Sequence, residues 1–178
     1  MIRRRKKYSR PGKPFDKARI DEENQLREKY GLKSKREIWK ADTTIARIRN
    51  LAKDLITKSD EEKKLFVERL QKKGYNVENL QEALALDKED LLKRRLQTIL
   101  ASNGIVRTPK QARQLIAHKH VSVGDKIVNI PSYHVDLSEE SLVKLNIILK
   151  LPEPKKSKLE QIKEDILEEK ENAEEIIG

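Results

Sequence analysis

The chain has 178 residues, of which 39% are charged, 36% are hydrophobic and 4% are aromatic, and it contains no cysteine. Its 40 Lys and Arg residues outnumber its 30 Asp and Glu residues and give a formal net charge of +10. Since globular chains are ordinarily about 25% charged, we expect no large apolar core of the kind that surrounds most enzyme active sites. Disulfides, thiol catalysis and cysteine-based zinc sites are excluded, and the apolar runs are too short for a membrane span or a secretory signal. We therefore predict a cytoplasmic protein that uses positive charge to hold a polyanion.

Charge is distributed unevenly along the chain. Residues 1–40 hold 15 basic and 6 acidic residues, and residues 91–135 hold 8 basic residues and a single acid, Asp125. Residues 41–90 are nearly neutral, whereas residues 136–178 hold 7 basic and 12 acidic residues. Two basic blocks, a neutral segment between them and an acidic tail indicate what the protein binds rather than how it folds.

The first basic block begins with an arm, residues 1–14, in which Tyr8, Pro11, Gly12 and Pro14 interrupt any helical pattern. We predict that the arm is extended, and disordered until its charges meet phosphates and release their counterions. The alternative is a solvated tail or an address signal. Its candidate RNA-binding residues are Arg3, Arg4, Arg5, Lys6, Lys7, Arg10 and Lys13.

Residues 15–90 are predicted to form a helical domain. The segments 34–37 and 59–62 both have the Ser-x-x-Glu form of a capping box, and apolar residues recur at helical spacing after each. Trp39 and Tyr30 could stack on bases, although a lone aromatic residue beside a helix start is more often buried.

Residues 91–152 are predicted to form an α+β module, in which two short helices pack on a small, bent antiparallel sheet. The first helix is expected from 87 to 102, with Arg94 and Gln97 opposite its apolar stripe, and the second begins at the N-cap Thr108. Alternating apolar residues then predict short strands at 120–123, 126–130, 133–135 and 142–149.

Polar positions on the predicted helices of this module are almost all neutral hydrogen-bonding groups or cations, and Asp125 is the single acid between residues 91 and 135. A solvated surface ordinarily mixes charges of both signs, whereas a surface that faces phosphates excludes carboxylates. His118 and His120 are the only pair that resembles metal ligands, and with Asp125 as the one nearby acid we predict no metal site and no cofactor. We expect the two His on opposite faces, where a helix meets a strand. No glycine-rich phosphate loop, nucleophile elbow or zinc-protease helix is present, so the protein is predicted not to be an enzyme.

Several strings of the module resemble the S4 RNA-binding domain, namely LKRRLQT (92–98), TPKQARQLI (108–116), HKHVSV (118–123) and PSY (131–133). Upstream strings resemble the amino-terminal segment of small-subunit ribosomal protein S4 in its archaeal and eukaryotic form, namely KPFDKARI (13–20), KYGL (29–32) and KREIW (35–39). The resemblance runs in order from about residue 8 to about residue 150. This sequence departs from the family in its tail, in the opening of its arm, in having no cysteine-rich zinc site, in Lys119 where Gly is usual, and in Gly124-Asp125 where Asn-Gly is common.

The resemblance implies a structural constituent of the small ribosomal subunit. It implies a primary binder of 16S-type ribosomal RNA at a multi-helix junction of the 5′ domain, which nucleates subunit assembly and affects decoding accuracy. The implied partners are ribosomal RNA and neighbouring ribosomal proteins, among them small-subunit protein five, with no membrane and no homo-oligomer. Because double-helical RNA is recognised largely by shape and backbone, we assign backbone contacts to a set of module residues. These are Arg94, Arg95, Gln97, Thr108, Gln111, Arg113, His118, Lys119 and Lys126.

Two alternatives remain open from the sequence. One is a non-ribosomal RNA-binding factor or RNA chaperone that carries the same module. The other is a helical interaction protein acting through residues 155–177. The acidic tail, residues 153–178, has apolar residues at roughly helical spacing, and we expect a helix that points away from RNA.

Overall fold

A computed structural model of the protein describes residues 6–147. The candidate residues Arg3, Arg4 and Arg5 and the whole predicted acidic tail, 153–178, lie outside the described residues. Eight helices and three strands follow in chain order within the described part: α1 (Lys17–Lys29), α2 (Lys35–Leu55), α3 (Asp60–Lys72), α4 (Leu80–Ala85), α5 (Lys88–Lys93), α6 (Leu96–Ser102), α7 (Pro109–Ala117), β1 (Val121–Val123), β2 (Lys126–Ile127), α8 (Leu137–Glu140) and β3 (Val143–Leu145). Among these, no helix is both long and apolar enough to cross a membrane.

The 21-residue helix α2 links the two apolar clusters of the amino-terminal half. Its first half packs Ile38 and Ala41 against Leu26 of α1 and against Leu92. Its second half contributes to a cluster made of Ile45, Ala52, Leu70, Tyr75, Val77, Ala83 and Leu86. Packing is therefore continuous across the domain boundary predicted between residues 90 and 91.

Helix starts differ in how they are capped. Thr108 accepts a hydrogen bond from the Gln111 amide at 3.2 Å, as predicted for α7, and Asp87 forms a full capping box with Asp90. Ser34 and Ser59, by contrast, make no side-chain capping bond, so the two predicted Ser-x-x-Glu boxes are wrong.

The three strands form one antiparallel sheet in the order β2-β1-β3. Ser122 in the central strand pairs with Ile127 on one side and with Lys144 on the other. The α+β class and the small antiparallel sheet predicted from the sequence are confirmed. The segment 133–135 does not join this sheet; it contributes only an isolated bridge between His134 and Arg95.

The single helix predicted from 87 to 102 is wrong, because two helices occupy that segment. Arg95 lies between α5 and α6 in extended conformation, with φ −74° and ψ 142°. The backbone groups beside this break bond to the 133–135 segment. The Leu96 amide donates to the Tyr133 carbonyl at 2.8 Å, and the Val135 amide donates to the Arg94 carbonyl at 3.1 Å. The break changes which side chains of α6 face inward, so Gln97 is fully buried rather than opposite the apolar stripe.

Candidate nucleic-acid interface

Helix α7 presents one apolar and one polar side. Ala112, Leu115 and Ile116 are buried, whereas Gln114 and His118 are exposed and Gln111 is half-buried. Gln111, Gln114 and His118 therefore lie along the accessible side of α7, and we call these three residues its polar row. No acidic residue occupies the first turn of this helix, which leaves its positive dipole end open to anions.

The carboxyl end of α7 turns sharply at Lys119, whose φ of 64° lies in the left-handed region. The amides of Lys119 and His120 donate to the carbonyls of Ile116 and Leu115, each at 3.0 Å, which is the Schellman pattern that usually places Gly at this position. Because of this turn the rings of His118 and His120 lie nearly parallel, with centroids 6.1 Å apart. The expectation that the two His lie on opposite faces is therefore wrong.

In the basic segment 91–135, four cations are exposed and have no carboxylate of residues 6–147 within 4.0 Å: Arg107, Lys110, Lys119 and Lys126. Two of them, Arg107 and Lys110, were not among the residues assigned from the sequence. They flank Thr108 at the start of α7, and the helix-start signal Thr-Pro could have indicated them, because exposed cations at a helix amino terminus add to its attraction for phosphate.

Arg95 and Arg113 are drawn into the protein by Glu37 of the KREIW segment. Arg95 Nη1 lies 2.8 Å from Glu37 Oε2, and Arg113 Nη2 lies 3.0 Å from Glu37 Oε1. Burial alone would raise the pKa of Glu37, but the hydrogen bonds and charges of Arg113 and Arg95 hold it below the ordinary value. Burial lowers the pKa of Arg95, and Glu37 opposes that shift. We call Glu37, Arg95 and Arg113 the clamp, since it joins the start of α2 to α6 and α7.

Gln97 lies beside the clamp and has no exposed surface. Its Nε2 donates to the Tyr30 carbonyl, and its Oε1 accepts from Arg113 Nη1 at 3.3 Å. Arg94 is held in a similar way: its guanidinium donates to Glu140 at 2.8 Å and to the Val135 carbonyl at 3.0 Å. Arg95 and Gln97, for which we predicted RNA contacts, are thus 4% and 0% exposed and bond to groups of the protein itself.

Tyr30 is also internal, with 4% of its surface exposed and its hydroxyl donating to Glu89 at 2.9 Å. The base-stacking role considered for it is therefore wrong. Trp39 is only half-buried, and its ring lies 6.0 Å from that of Tyr8.

The described part of the arm, residues 6–14, contains no helix or strand, and its cations Lys6, Lys7, Arg10 and Lys13 are exposed. It is nevertheless fastened to the helices. The Ser9 amide donates to Thr43 Oγ1 at 3.2 Å, and Arg19 donates to the carbonyls of Lys13 and Pro14 at 2.9 and 3.0 Å. These bonds hold the described part of the arm against α1 and α2.

Comparison with known proteins identifies the family. The model of the S4 domain matches residues 94–141. The small ribosomal subunit protein uS4 of Nanoarchaeum equitans is 41% identical over 95% of this chain and 99% of its own length. Those of Picrophilus torridus and Saccharolobus islandicus are 41% and 42% identical, over 80% and 78% of this chain and 82% and 81% of their own lengths. The resemblance predicted from the sequence is confirmed, and the chain belongs to the small ribosomal subunit protein uS4 family.

Proposed function

We propose that this protein is a structural constituent of the small ribosomal subunit in the cytoplasm and that it binds the subunit's ribosomal RNA. The observation that carries the proposal is the 41% identity to a small ribosomal subunit protein over 95% of the chain. The role is structural rather than enzymatic. The exposed cations of the module supply what such a role requires, because phosphate contacts dominate affinity for folded RNA.

The RNA-facing surface that we propose consists of the amino terminus of α7, its polar row, the turn after it and the hairpin between β1 and β2. Its members are Arg107, Thr108, Lys110, Gln111, Gln114, His118, Lys119 and Lys126, together with the cations of the arm. Arg94 and Arg113 contribute to this surface by positioning rather than by direct contact, since both guanidiniums are paired with carboxylates.

At finer scale, we propose that the RNA site is a multi-helix junction of the 5′ domain, and that binding there nucleates assembly and affects decoding accuracy. A folded wedge and an extended arm suit a junction, because a junction concentrates phosphates from several helices around one point. We propose that the protein binds as a single copy beside small-subunit protein five, and that the acidic tail points away from RNA.

Chemical footprinting of a small-subunit RNA transcript from an archaeal relative, with and without the purified protein, tests the site. Protection confined to one junction is the expected result, and diffuse protection would instead indicate a general RNA chaperone. Co-sedimentation with small subunits in high salt is expected for an integral component. Release at moderate salt would favour a non-ribosomal factor that carries the same module.

Single substitutions of Lys110, Lys119 and Lys126 by Ala test the surface. Each lost phosphate contact is expected to lower RNA affinity and to reduce the slope of log affinity against log salt by about one. Lys58→Ala, in the neutral segment between α2 and α3, is the matched control and is expected to leave the slope unchanged. An unchanged slope in all three module variants would contradict the proposed surface.

A further inference from the structure

Phe15 is the most exposed large apolar side chain in the part of the chain that the structure describes. It lies between the arm and α1 and is 93% exposed, whereas the other exposed large apolar side chains are between 40% and 61% exposed. A ring that keeps almost its whole surface in water adds nothing to an apolar core. It can therefore contact another molecule without any change in the fold.

The backbone that carries this ring is held on both sides. Before the ring, Arg19 Nη2 donates to the carbonyls of Lys13 and Pro14 at 2.9 and 3.0 Å. After it, the Ile20 amide donates to the Asp16 carbonyl at 3.0 Å, at the start of α1. A group that is held in place before binding loses less conformational freedom when it binds. The ring is thus presented to solvent on a fixed turn.

The surroundings of the ring are cationic. Residues 6–19 hold six basic residues and a single acid, Asp16. Lys13 and Lys17 line the same open hollow as Phe15, and neither lysine has a carboxylate within 4.0 Å among residues 6–147. Asp16 lines this hollow too, but the two lysines outnumber it. The charge around the ring therefore favours an anionic ligand.

An exposed aromatic ring among cations fits single-stranded nucleic acid. Unpaired bases stack on aromatic side chains while basic side chains meet the adjoining phosphates. An apolar pocket of another protein would accept the ring but would leave the two lysines without partners. An acidic peptide would meet the lysines but would offer the ring no flat surface. A nucleotide supplies both the flat surface and the negative charge.

We propose that Phe15 stacks on an unpaired base of the ribosomal RNA and that Lys13 and Lys17 meet the adjoining phosphates. This inference rests on the proposed function, since it takes RNA as the ligand. It adds a stacking contact upstream of the S4 domain match, which begins at residue 94. The end of the arm is then fixed to RNA by a ring as well as by charge.

Phe15→Ala is the first test. The small-subunit transcript used for footprinting is titrated into the full-length wild type and variant at several salt concentrations. The affinity is expected to fall about fivefold or more through lost stacking. The slope of log affinity against log salt is expected to stay unchanged, because no charge is removed, whereas Lys13→Ala is expected to lower it by about one. Leu65→Ala truncates another exposed apolar side chain, in α3, and is expected to bind as the wild type does.

Two further variants separate stacking from simple apolar contact. Phe15→Leu keeps an apolar side chain without an aromatic face and is expected to bind about as weakly as Phe15→Ala. Phe15→Trp keeps the stack and is expected to retain the affinity. The transcript is also expected to quench its emission more strongly than that of the wild type, whose only tryptophan is Trp39.

A fully paired RNA duplex is the control ligand, because it offers the ring no unpaired base. Phe15→Ala and the wild type are expected to bind the duplex equally. Phe15→Ala is also expected to keep the wild-type free energy of unfolding in urea, since the ring packs against so little of the protein.

Wild-type affinity of Phe15→Leu for the transcript would overturn the proposal, since it would indicate an apolar pocket rather than a base. An equal loss of affinity for the transcript and the duplex in Phe15→Ala would overturn it as well. If the wild type binds the transcript and Phe15→Ala binds it equally tightly, only the stacking assignment fails. If the wild type itself does not bind the transcript, the proposed function fails, and the stacking assignment fails with it.

Discussion

The clamp and the exposed cations of the module come from the same basic segment, residues 91–135, yet they meet opposite environments. Arg95 and Arg113 point to Glu37, and Arg94 points to Glu140. Both carboxylates lie outside the segment in sequence. The segment holds only one acid of its own, but its folded surroundings supply two more. Charge counted along a chain therefore overstates the charge available to a partner, because acids from other elements can neutralise it.

The two groups also differ in residue type. The three cations that pair with Glu37 or Glu140 are all arginines. Three of the four exposed cations are lysines, namely Lys110, Lys119 and Lys126. A guanidinium presents several donors in a fixed plane and satisfies two acceptors at once, as Arg94 does with Glu140 and the Val135 carbonyl. A lysine ammonium is a compact, strongly hydrated charge, which suits a solvated surface that awaits phosphate.

Glu37→Ala is the change with the largest expected effect on this comparison. It leaves Arg95, which is 4% exposed, without its carboxylate. Removal of one partner from a buried ion pair costs about 3–5 kcal/mol, and we expect the free energy of unfolding to fall by about 3 kcal/mol. Urea denaturation measures it. Glu61→Ala, at an exposed position of α3, is the control. A loss below about 1 kcal/mol in Glu37→Ala would mean that the clamp is an ordinary surface pair.

A smaller loss of stability is expected at Gly31, where the backbone after α1 approaches the start of α7. Gly31 has φ +58°, and a Cβ added there would lie 3.0 Å from backbone atoms of Pro109 and Lys110. Gly104 has φ +71°, and its added Cβ would meet nothing within 4 Å. Gly104→Ala therefore measures left-handed strain alone, about 1 kcal/mol, and Gly31→Ala adds the collision for a total of about 2 kcal/mol or more. Equal losses of unfolding free energy in the two variants, measured by urea denaturation, would show that the backbone of Pro109 and Lys110 moves away from the added Cβ at no cost.

Local signals in the sequence were sufficient for much of the fold. Thr108 and Pro109 marked the start of α7, and the alternation in 120–123 marked β1, because these patterns depend on neighbouring residues only. The break at Arg95 was not predictable in this way. It depends on hydrogen bonds with Tyr133 and Val135, which lie about forty residues away in sequence. The helical periodicity of residues 87–102 does not indicate these bonds.

The same distinction governs the candidate site. Lys119 and Lys126 were assigned from the sequence and lie exposed, since no other element covers them. The prediction for Gln97 depends on a continuous helix, and the residue is buried because the helix breaks at Arg95. The prediction for Arg113 depends on its own helix face, whereas Glu37 from α2 pairs with it. Glu37 itself was interpreted as a helix cap. Its role depends on contacts between residues 58 and 76 positions apart, which a local motif does not encode.

The clamp also predicts a dependence of stability on pH. The two arginines hold the pKa of Glu37 below its ordinary value of 4.5. The stabilisation is therefore fully present above pH 4.5 and is lost as the pH falls through the lower folded-state pKa. Unfolding free energies measured between pH 6 and pH 3 are expected to fall less steeply with acid in Glu37→Gln than in the wild type. Glu22→Gln serves as the control, and identical profiles for Glu37→Gln and wild type would contradict the assignment.

The smallest effect concerns Lys119, where stability and RNA binding are expected to move in opposite directions. Its left-handed φ of 64° is unfavourable for a side chain with a Cβ, so Lys119→Gly is expected to raise the free energy of unfolding by about 1 kcal/mol. The same change removes an exposed cation and is expected to weaken RNA binding and to lower the salt slope by about one. Lys119→Ala is the matched control, because it removes the charge but keeps the Cβ. If Lys119→Gly is more stable than Lys119→Ala and the two bind RNA equally weakly, the strain at this turn is retained for the sake of the charge. If Lys119→Gly binds RNA as the wild type does, Lys119 belongs outside the RNA-facing surface.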